Sequence, residues 1–281
     1  MNIIDGKAIS QQIKDEVRDR IKRGNIDASL AVILVGGDPA SQVYVRNKKL
    51  ACEYCGIRSL SYELPEETTE DELLELIDKL NKDEGVSGIL CQLPLPESIR
   101  EDVIIEAISP EKDVDGFSRA STGALLIGSE GFLPCTPAGI IELIKRSGID
   151  IEGKECVVIG RSNIVGKPMA MLLLRENGTV TVTHSKTKNL KDITSRADIL
   201  VVAVGRPKFV TPEYVKEGAV VIDVGIHRLD PEKNGGKKLC GDVDYDAVAP
   251  HTSYITPVPG GVGPMTIAML MSNTLKAAEK K

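Results

Sequence analysis

ECVVIGRSNIVGKPMAMLLL, residues 155–174, is the stretch on which the fold turns. An apolar run, Cys156–Ile159, breaks into a glycine-bearing turn, and a segment of helical period opens at Gly166. Strand, tight turn and helix in that order make the start of a βα unit. The same rhythm recurs outward from it. Glu155–Gly160, Val180–Thr183, Ile199–Val204 and Val220–Val224 read as strands, almost wholly apolar, with helical segments between them. That is the pattern of a parallel sheet covered on both faces. Glycines in such a turn let backbone approach a phosphate, and the helix N-terminus adds free N–H groups and a positive dipole end. The turn Gly160-Arg161-Ser162-Asn163-Ile164-Val165-Gly166 spells G-x-S-x-x-x-G, not G-x-G-x-x-G, so alone it is weak evidence of a nucleotide site.

The next strand sharpens the reading. TVTVT (179–183) runs into His184, Ser185 and Lys186, with no acid where an NAD-preferring site bonds the ribose hydroxyl. Arg161 stands in the neighbouring turn. A cation with a hydroxyl donor suits a 2′-phosphate, which favours NADP; a solvated basic loop is the alternative. AVGRP (203–207) and DVGIH (223–227) put small residues at the carboxyl edge of the same sheet, where open α/β sheets bind ligands.

Toward the N-terminus the strand candidates are Leu30–Val35 and Gly88–Leu93, with an extended stretch at Ser59–Leu64. Helices are expected around Ser41–Cys55, Glu70–Lys82 and Glu101–Ile108, and Thr69 with Glu72 fits a capping box. The turn-rich segment 128–136 is followed by PAGIIELIKRSG (137–148), which has a helical period and a terminal Gly. A last helix is expected over Thr266–Ala278. Two α/β domains result, divided near residues 135–140.

Composition narrows the function. The 281 residues carry 35 Lys+Arg against 41 Asp+Glu, a net charge of −6, which argues against gripping nucleic acid by its phosphates. With six Tyr, three Phe and no Trp, stacking platforms for single strands are not expected either. No apolar run approaches the roughly 18 residues of a membrane span, and MNIIDGKAIS lacks the basic and apolar regions of a secretory signal. A soluble, cytoplasmic protein is expected. Cys52 and Cys55 form a C-x-x-C without a second ligand pair, so they read as one face of a partly buried helix. Three histidines (184, 227 and 251) without metal spacing leave no metal site to propose.

Candidate catalytic residues lie in the first half. YVRNKK (44–49) sets Tyr44 and Lys48 four apart on one helical face. A lysine under apolar cover can have a lowered pKa and act as acid or base; Arg46, Lys48 and Lys49 as a solvated charged face is the alternative. Gln92 follows the apolar strand GILC, at a strand end. Asp113 and Asp115 alternate in EKDVDGF, as a functional pair or as a polar turn.

YVRNKK, CQLPLP, PEKDVDGF, PCTP, VIGRSNIVGKP and TPVPGGVGPMT occur in this order from about Asp5 to Thr274. Together they closely resemble the bifunctional methylenetetrahydrofolate dehydrogenase/cyclohydrolase family of one-carbon metabolism. The resemblance implies a homodimer of two-domain chains, with a deep cleft between an N-terminal α/β catalytic domain and a C-terminal Rossmann-type domain. Residues 1–138 would form the first, with the helix 266–281 returning to it, and 139–265 the NADP-binding second. It implies NADP-dependent oxidation of 5,10-methylenetetrahydrofolate and hydrolysis of the product to 10-formyltetrahydrofolate. Lys48 matches the catalytic lysine, with Tyr44 and Gln92 beside it; Asp115, Pro259, Gly260 and Gly261 would meet the folate. Gly160, Arg161, Ser162, Gly166, Ser185 and Ile226 would hold NADP. His227 stands where Asn is expected in many relatives, near the cofactor edge. A dehydrogenase that has lost the hydrolytic step and a non-catalytic NADP sensor are the competing readings; turnover with folate separates them.

Overall fold

A computed structural model describes residues 1–230, 236 and 239–280. In chain order the elements are β1 (Asn2–Ile3), α1 (Gly6–Gly24), β2 (Ser29–Val35), α2 (Pro39–Cys55), β3 (Arg58–Leu64), α3 (Glu70–Lys82), β4 (Gly88–Cys91), α4 (Glu101–Ala107) and α5 (Arg119–Ile127). Then come α6 (Cys135–Arg146), β5 (Glu155–Ile159), α7 (Gly166–Arg175), β6 (Thr179–Thr183), α8 (Leu190–Thr194), β7 (Ile199–Val202) and β8 (Ala219–Asp223). The last are β9 (His227–Arg228), β10 (Leu239–Cys240), α9 (Tyr245–Val248), β11 (Thr252–Ile255) and α10 (Val262–Ala278). The chain divides into two compact units, Gln11–Cys135 with the segment from Ile267, and Thr136–Thr266 with Met1–Ser10.

The unit built on residues 11–135 carries a three-stranded parallel sheet, β3-β2-β4. Its central strand, SLAVILV, is buried along its whole length because both faces are covered. Ala31, Ile33 and Val35 pack with Ile77, Leu80 and Ile104. The alternate residues Leu30, Val32 and Leu34 pack on the other side with Val17, Cys52, Leu270 and Met271, the period of two that a strand imposes. α3 starts at the expected capping box: the Glu72 amide donates to Thr69 Oγ1 (3.3 Å) and the Thr69 amide to Glu72 Oε2 (2.8 Å).

The other unit holds a six-stranded parallel sheet, β1-β11-β8-β7-β5-β6. β5, β7 and β8 are apolar and buried, as their sequences require. β6 is the exception to the expected apolar strands, since it lies at the sheet edge and Val182 is 41% exposed. β6 and β7 flank β5 on opposite sides, so the strand order reverses beside β5. Ligands of open α/β sheets settle at such a reversal.

Two boundaries differ from expectation by four residues or more. Asn2–Ile3 pairs parallel with Tyr254–Ile255, and the Ile4 amide donates to Ile255 O (2.9 Å), so the first ten residues join the six-stranded unit rather than the 1–138 body. α10 starts at Val262, four residues before the expected Thr266.

Candidate functional site

α2 is specified at both ends. Asp38 accepts from the Ser41 amide (2.7 Å), Pro39 occupies the first turn, and Gly56 closes the helix at φ +79°. Its buried stripe runs Ser41, Val45, Lys48, Cys52, Cys55, so Lys48 occupies a core position. Arg46 and Lys49 are exposed; the solvated-face alternative holds for them and fails for Lys48, which is 8% exposed. Burial drives the Lys48 pKa down, and the nearby Asp115 charge opposes that shift. Cys52 and Cys55 line the same stripe as free thiols, pushed up by burial to about 12 and about 11.

β4 delivers Gln92 to this lysine. Lys48 Nζ donates to Gln92 Oε1 (2.8 Å), while Gln92 Nε2 donates to Leu93 O (2.6 Å) and so fixes the amide's orientation. Tyr44 lies one turn before Lys48 on α2 and is 42% exposed.

The loop 112–117 separates the two aspartates that alternation alone left equivalent. Lys112 Nζ donates to the carbonyls of Leu80, Asn81 and Asp83, anchoring the loop at the C-terminus of α3. Asp113 is buried and accepts from the amides of Gly116 (3.1 Å), Phe117 (3.2 Å) and Ser118 (2.9 Å) and from the Ser121 hydroxyl (2.7 Å). Its capacity is spent on holding the loop. Gly116 sits at φ +75°, with Leu133 C 2.8 Å from where a Cβ would stand. At Asp115, which shares a hydrogen bond with the Cys135 thiol, burial raises the pKa and Lys48 opposes the rise. Burial thus moves acid and lysine toward their neutral forms. Sequence reasoning missed Cys135, a fully buried thiol whose pKa burial and the Asp115 charge raise far above its usual range. Its motif, PCTP, was visible; its place beside Asp115 was not.

In the six-stranded unit, β5 and β6 pair through Ile159↔Thr183, so Gly160–Arg161 and His184–Ser185 leave neighbouring strand ends. Gly160 has φ +135°, and a Cβ there would lie 2.3 Å from Ala203 O; one at Gly166 would lie 2.4 Å from Gly160 O. Both glycines are therefore demanded by close backbone approach. Ser162 Oγ accepts from the amides of Val165 (3.2 Å) and Gly166 (3.3 Å), and residues 161–164 are exposed. No acid stands at the end of β6, and Arg161, Ser185 and Lys186 are exposed. A bare-backbone turn at the head of a helix, beside a cation and a hydroxyl, fits a dinucleotide carrying a 2′-phosphate.

β8 and β11 are neighbours, so Ile226 (44% exposed) and the Pro259–Gly261 loop follow adjacent strands. The loop is buttressed by the N-terminal segment: the Lys7 amide donates to Gly260 O (3.1 Å), and a Cβ on Gly6 would fall 1.8 Å from Gly261 O. His227, expected near the cofactor edge, turns its Nε2 to Asp242 Oδ1 at 2.7 Å. Among the described residues no helix is long and apolar enough to cross a membrane.

Known proteins are similar to this chain over its whole length. A family model described as tetrahydrofolate dehydrogenase/cyclohydrolase, catalytic domain, matches residues 4–115, and that of the NAD(P)-binding domain matches 134–281. The bifunctional protein FolD of Agathobacter rectalis is 67% identical, over 99% of each chain. The crystal structure of the bifunctional FolD enzyme from Campylobacter jejuni superposes with a TM-score of 0.95 at 53% identity, covering 100% of this chain and 99% of that one. The Trypanosoma brucei dehydrogenase-cyclohydrolase, solved with NADP and an inhibitor, has a TM-score of 0.92 at 40% identity, covering 99% of this chain and 97% of that one.

Proposed function

Because this chain belongs to the tetrahydrofolate dehydrogenase/cyclohydrolase family, we propose that one polypeptide performs both reactions of that family with NADP. It oxidises 5,10-methylenetetrahydrofolate to the 5,10-methenyl cation and then adds water to give 10-formyltetrahydrofolate. The observation that carries this reading is a lysine on the buried stripe of α2, bonded to Gln92 and facing the field of Asp115.

The two steps ask different things of the protein. NADP, when bound, accepts the hydride from the one-carbon bridge. No proton leaves in that step, so orientation of the substrate is the main demand. Asp115 accepts hydrogen bonds from the pterin amino and ring N–H groups. Arg161 and Ser185 take the 2′-phosphate, while Gly160, Ser162 and Gly166 shape the turn under the pyrophosphate; Ile226 offers an apolar face to the cofactor.

Hydrolysis does need proton transfers. Water adds to the methenyl carbon and the ring C–N bond opens, with net release of one proton. Lys48, moved toward neutrality by burial, takes a proton from the attacking water and repels the cationic substrate less than a full ammonium would. Gln92 holds the lysine amine in place, and Tyr44 shapes the pocket on the same helix face. In this reading the unit built on residues 11–135 handles the folate and the six-stranded unit holds NADP. A cytoplasmic homodimer accompanies it, for which light scattering on the purified chain gives the test.

Purified protein given 5,10-methylenetetrahydrofolate is expected to reduce NADP, with a much lower kcat/KM for NAD. No reduction of either cofactor would overturn the proposal and favour the sensor.

A further inference from the structure

Two buried carboxylates at the carboxyl edge of the six-stranded sheet have no part in the roles assigned above. Asp242, fully buried, follows β10. Its Oδ2 accepts from the amides of Val204 (2.7 Å) and Gly205 (3.0 Å), and its Oδ1 from the Arg206 amide (2.9 Å). Those three amides make the turn that leaves β7, with Gly205 at φ +68°. The fourth bond comes from His227 Nε2, 2.7 Å from Oδ1. A carboxylate only accepts, so Nε2 carries the hydrogen.

Asp223, at the end of β8, braces this arrangement from behind. It accepts from the amides of Gly225 (3.0 Å), Asp242 (2.9 Å) and Val243 (2.9 Å), while its own amide donates to Thr256 Oγ1 (2.8 Å). Nothing larger than glycine fits between the two: a Cβ on Gly225 would lie 2.4 Å from Asp242 Cγ, and one on Gly241 1.8 Å from Asp223 Oδ2. The chain leaving β7, β8 and β10 is thus tied through two carboxylates, and the chain leaving β11 joins it at the Asp223 amide. Asp242 is sealed, whereas the His227 side chain is 20% exposed and forms the outer member of the network.

Gly205 and Arg206 are exposed; the Arg206 guanidinium rests on the Phe209 ring at 4.6 Å, and the three amides of the turn are held by the Asp242 carboxylate. The turn abuts the proposed phosphate-binding glycine, because Ala203 O is the atom a Cβ on Gly160 would strike. A shift of one is felt by the other. We infer that His227, acting through Asp242, is a positioning residue that sets the Val204–Arg206 turn for the nicotinamide cofactor. The inference rests on the NADP reading of this edge.

His227→Phe keeps a ring of similar size and removes the donor, leaving Oδ1 with one partner fewer in a sealed site. In nucleotide-free protein, hydrogen exchange at the amides of Gly205 and Arg206 is expected to quicken about tenfold, and the Kd for NADP to weaken about tenfold. KM for NADP should rise while KM for the folate holds. His227→Gln, whose amide nitrogen reaches about as far as Nε2, is expected to restore both within about threefold. His227→Ala gives the same loss as Phe in a smaller side chain, should the ring itself prevent folding. Wild-type exchange and affinity in a folded His227→Phe or His227→Ala protein would overturn the inference alone. A wild-type protein that binds no NADP would overturn the cofactor reading beneath it.

Discussion

Lys48→Met keeps the aliphatic stem and removes the amine. Two energies oppose one another in the fold. The variant loses the amine's hydrogen bond to Gln92, worth about 0.5–1.5 kcal/mol. It also removes a polar group that is only 8% exposed, whose desolvation costs about 1–3 kcal/mol. Gln92 is only partly buried, so water can reach the carbonyl that the amine leaves. Net stability is therefore expected within about 1 kcal/mol of wild type, read from urea unfolding. Its pH dependence should change in a defined direction. The folded pKa of Lys48 lies below its ordinary 10.5, so between the two values the unfolded chain binds the extra proton. Wild-type stability gains from this group as pH rises through that window, and the variant lacks the gain. Hydrolysis of the methenyl compound loses its proton carrier, a contribution of about 10²–10⁴-fold, whereas oxidation, which releases no proton, should fall far less. Both rates come from one cuvette, following methenyl absorbance with and without NADP. Hydrolysis within tenfold of wild type in a folded variant would refute the role given to Lys48.

Three further perturbations separate roles that lie close together. Arg161→Ala should weaken NADP by about 1.5–3 kcal/mol and NAD by much less in calorimetric titration; equal losses would remove Arg161 from the 2′-phosphate. Gly160→Ala forces a Cβ to 2.3 Å from Ala203 O at φ +135°, so NADP binding should be lost along with about 1–3 kcal/mol of stability; wild-type affinity would show that the turn need not be that tight. Asp113→Ala strips four donors of their acceptor and should cost about 3 kcal/mol or more, whereas Asp115→Asn should leave thermal unfolding nearly unchanged and raise KM for the folate. The opposite assignment of the two losses would exchange their roles.

The strands were legible because a doubly covered parallel sheet demands apolar runs, and Cys156–Ile159, Ile199–Val202 and Leu30–Val35 supply them. α1 escaped notice although Ile9, Ile13, Val17 and Ile21, all buried, repeat every four residues; a stripe one residue wide is diluted by the charged residues around it. β1 and β11 are two and four residues long, too short for a period to register. Lys48 was legible as the helix-face neighbour of Tyr44 and through the family resemblance, with a solvated charged face as the alternative; only its burial between Val45 and Cys52 separates the two. Asp113 and Asp115 were not separable by alternation, because what distinguishes them is the amide cluster behind Gly116. The Asp223–Asp242 network joins segments 15 residues or more apart, and no local pattern announces it.

The most direct measurement is a time course with 5,10-methylenetetrahydrofolate and NADP, sampled before and after acid quench, since acid returns 10-formyl product to the methenyl form. Reduced NADP matched by methenyl only after the quench is the expected result, and it puts both reactions in this chain. Methenyl accumulating in step with reduced NADP before the quench would contradict it, leaving a dehydrogenase whose buried Lys48–Gln92 pair does not hydrolyse.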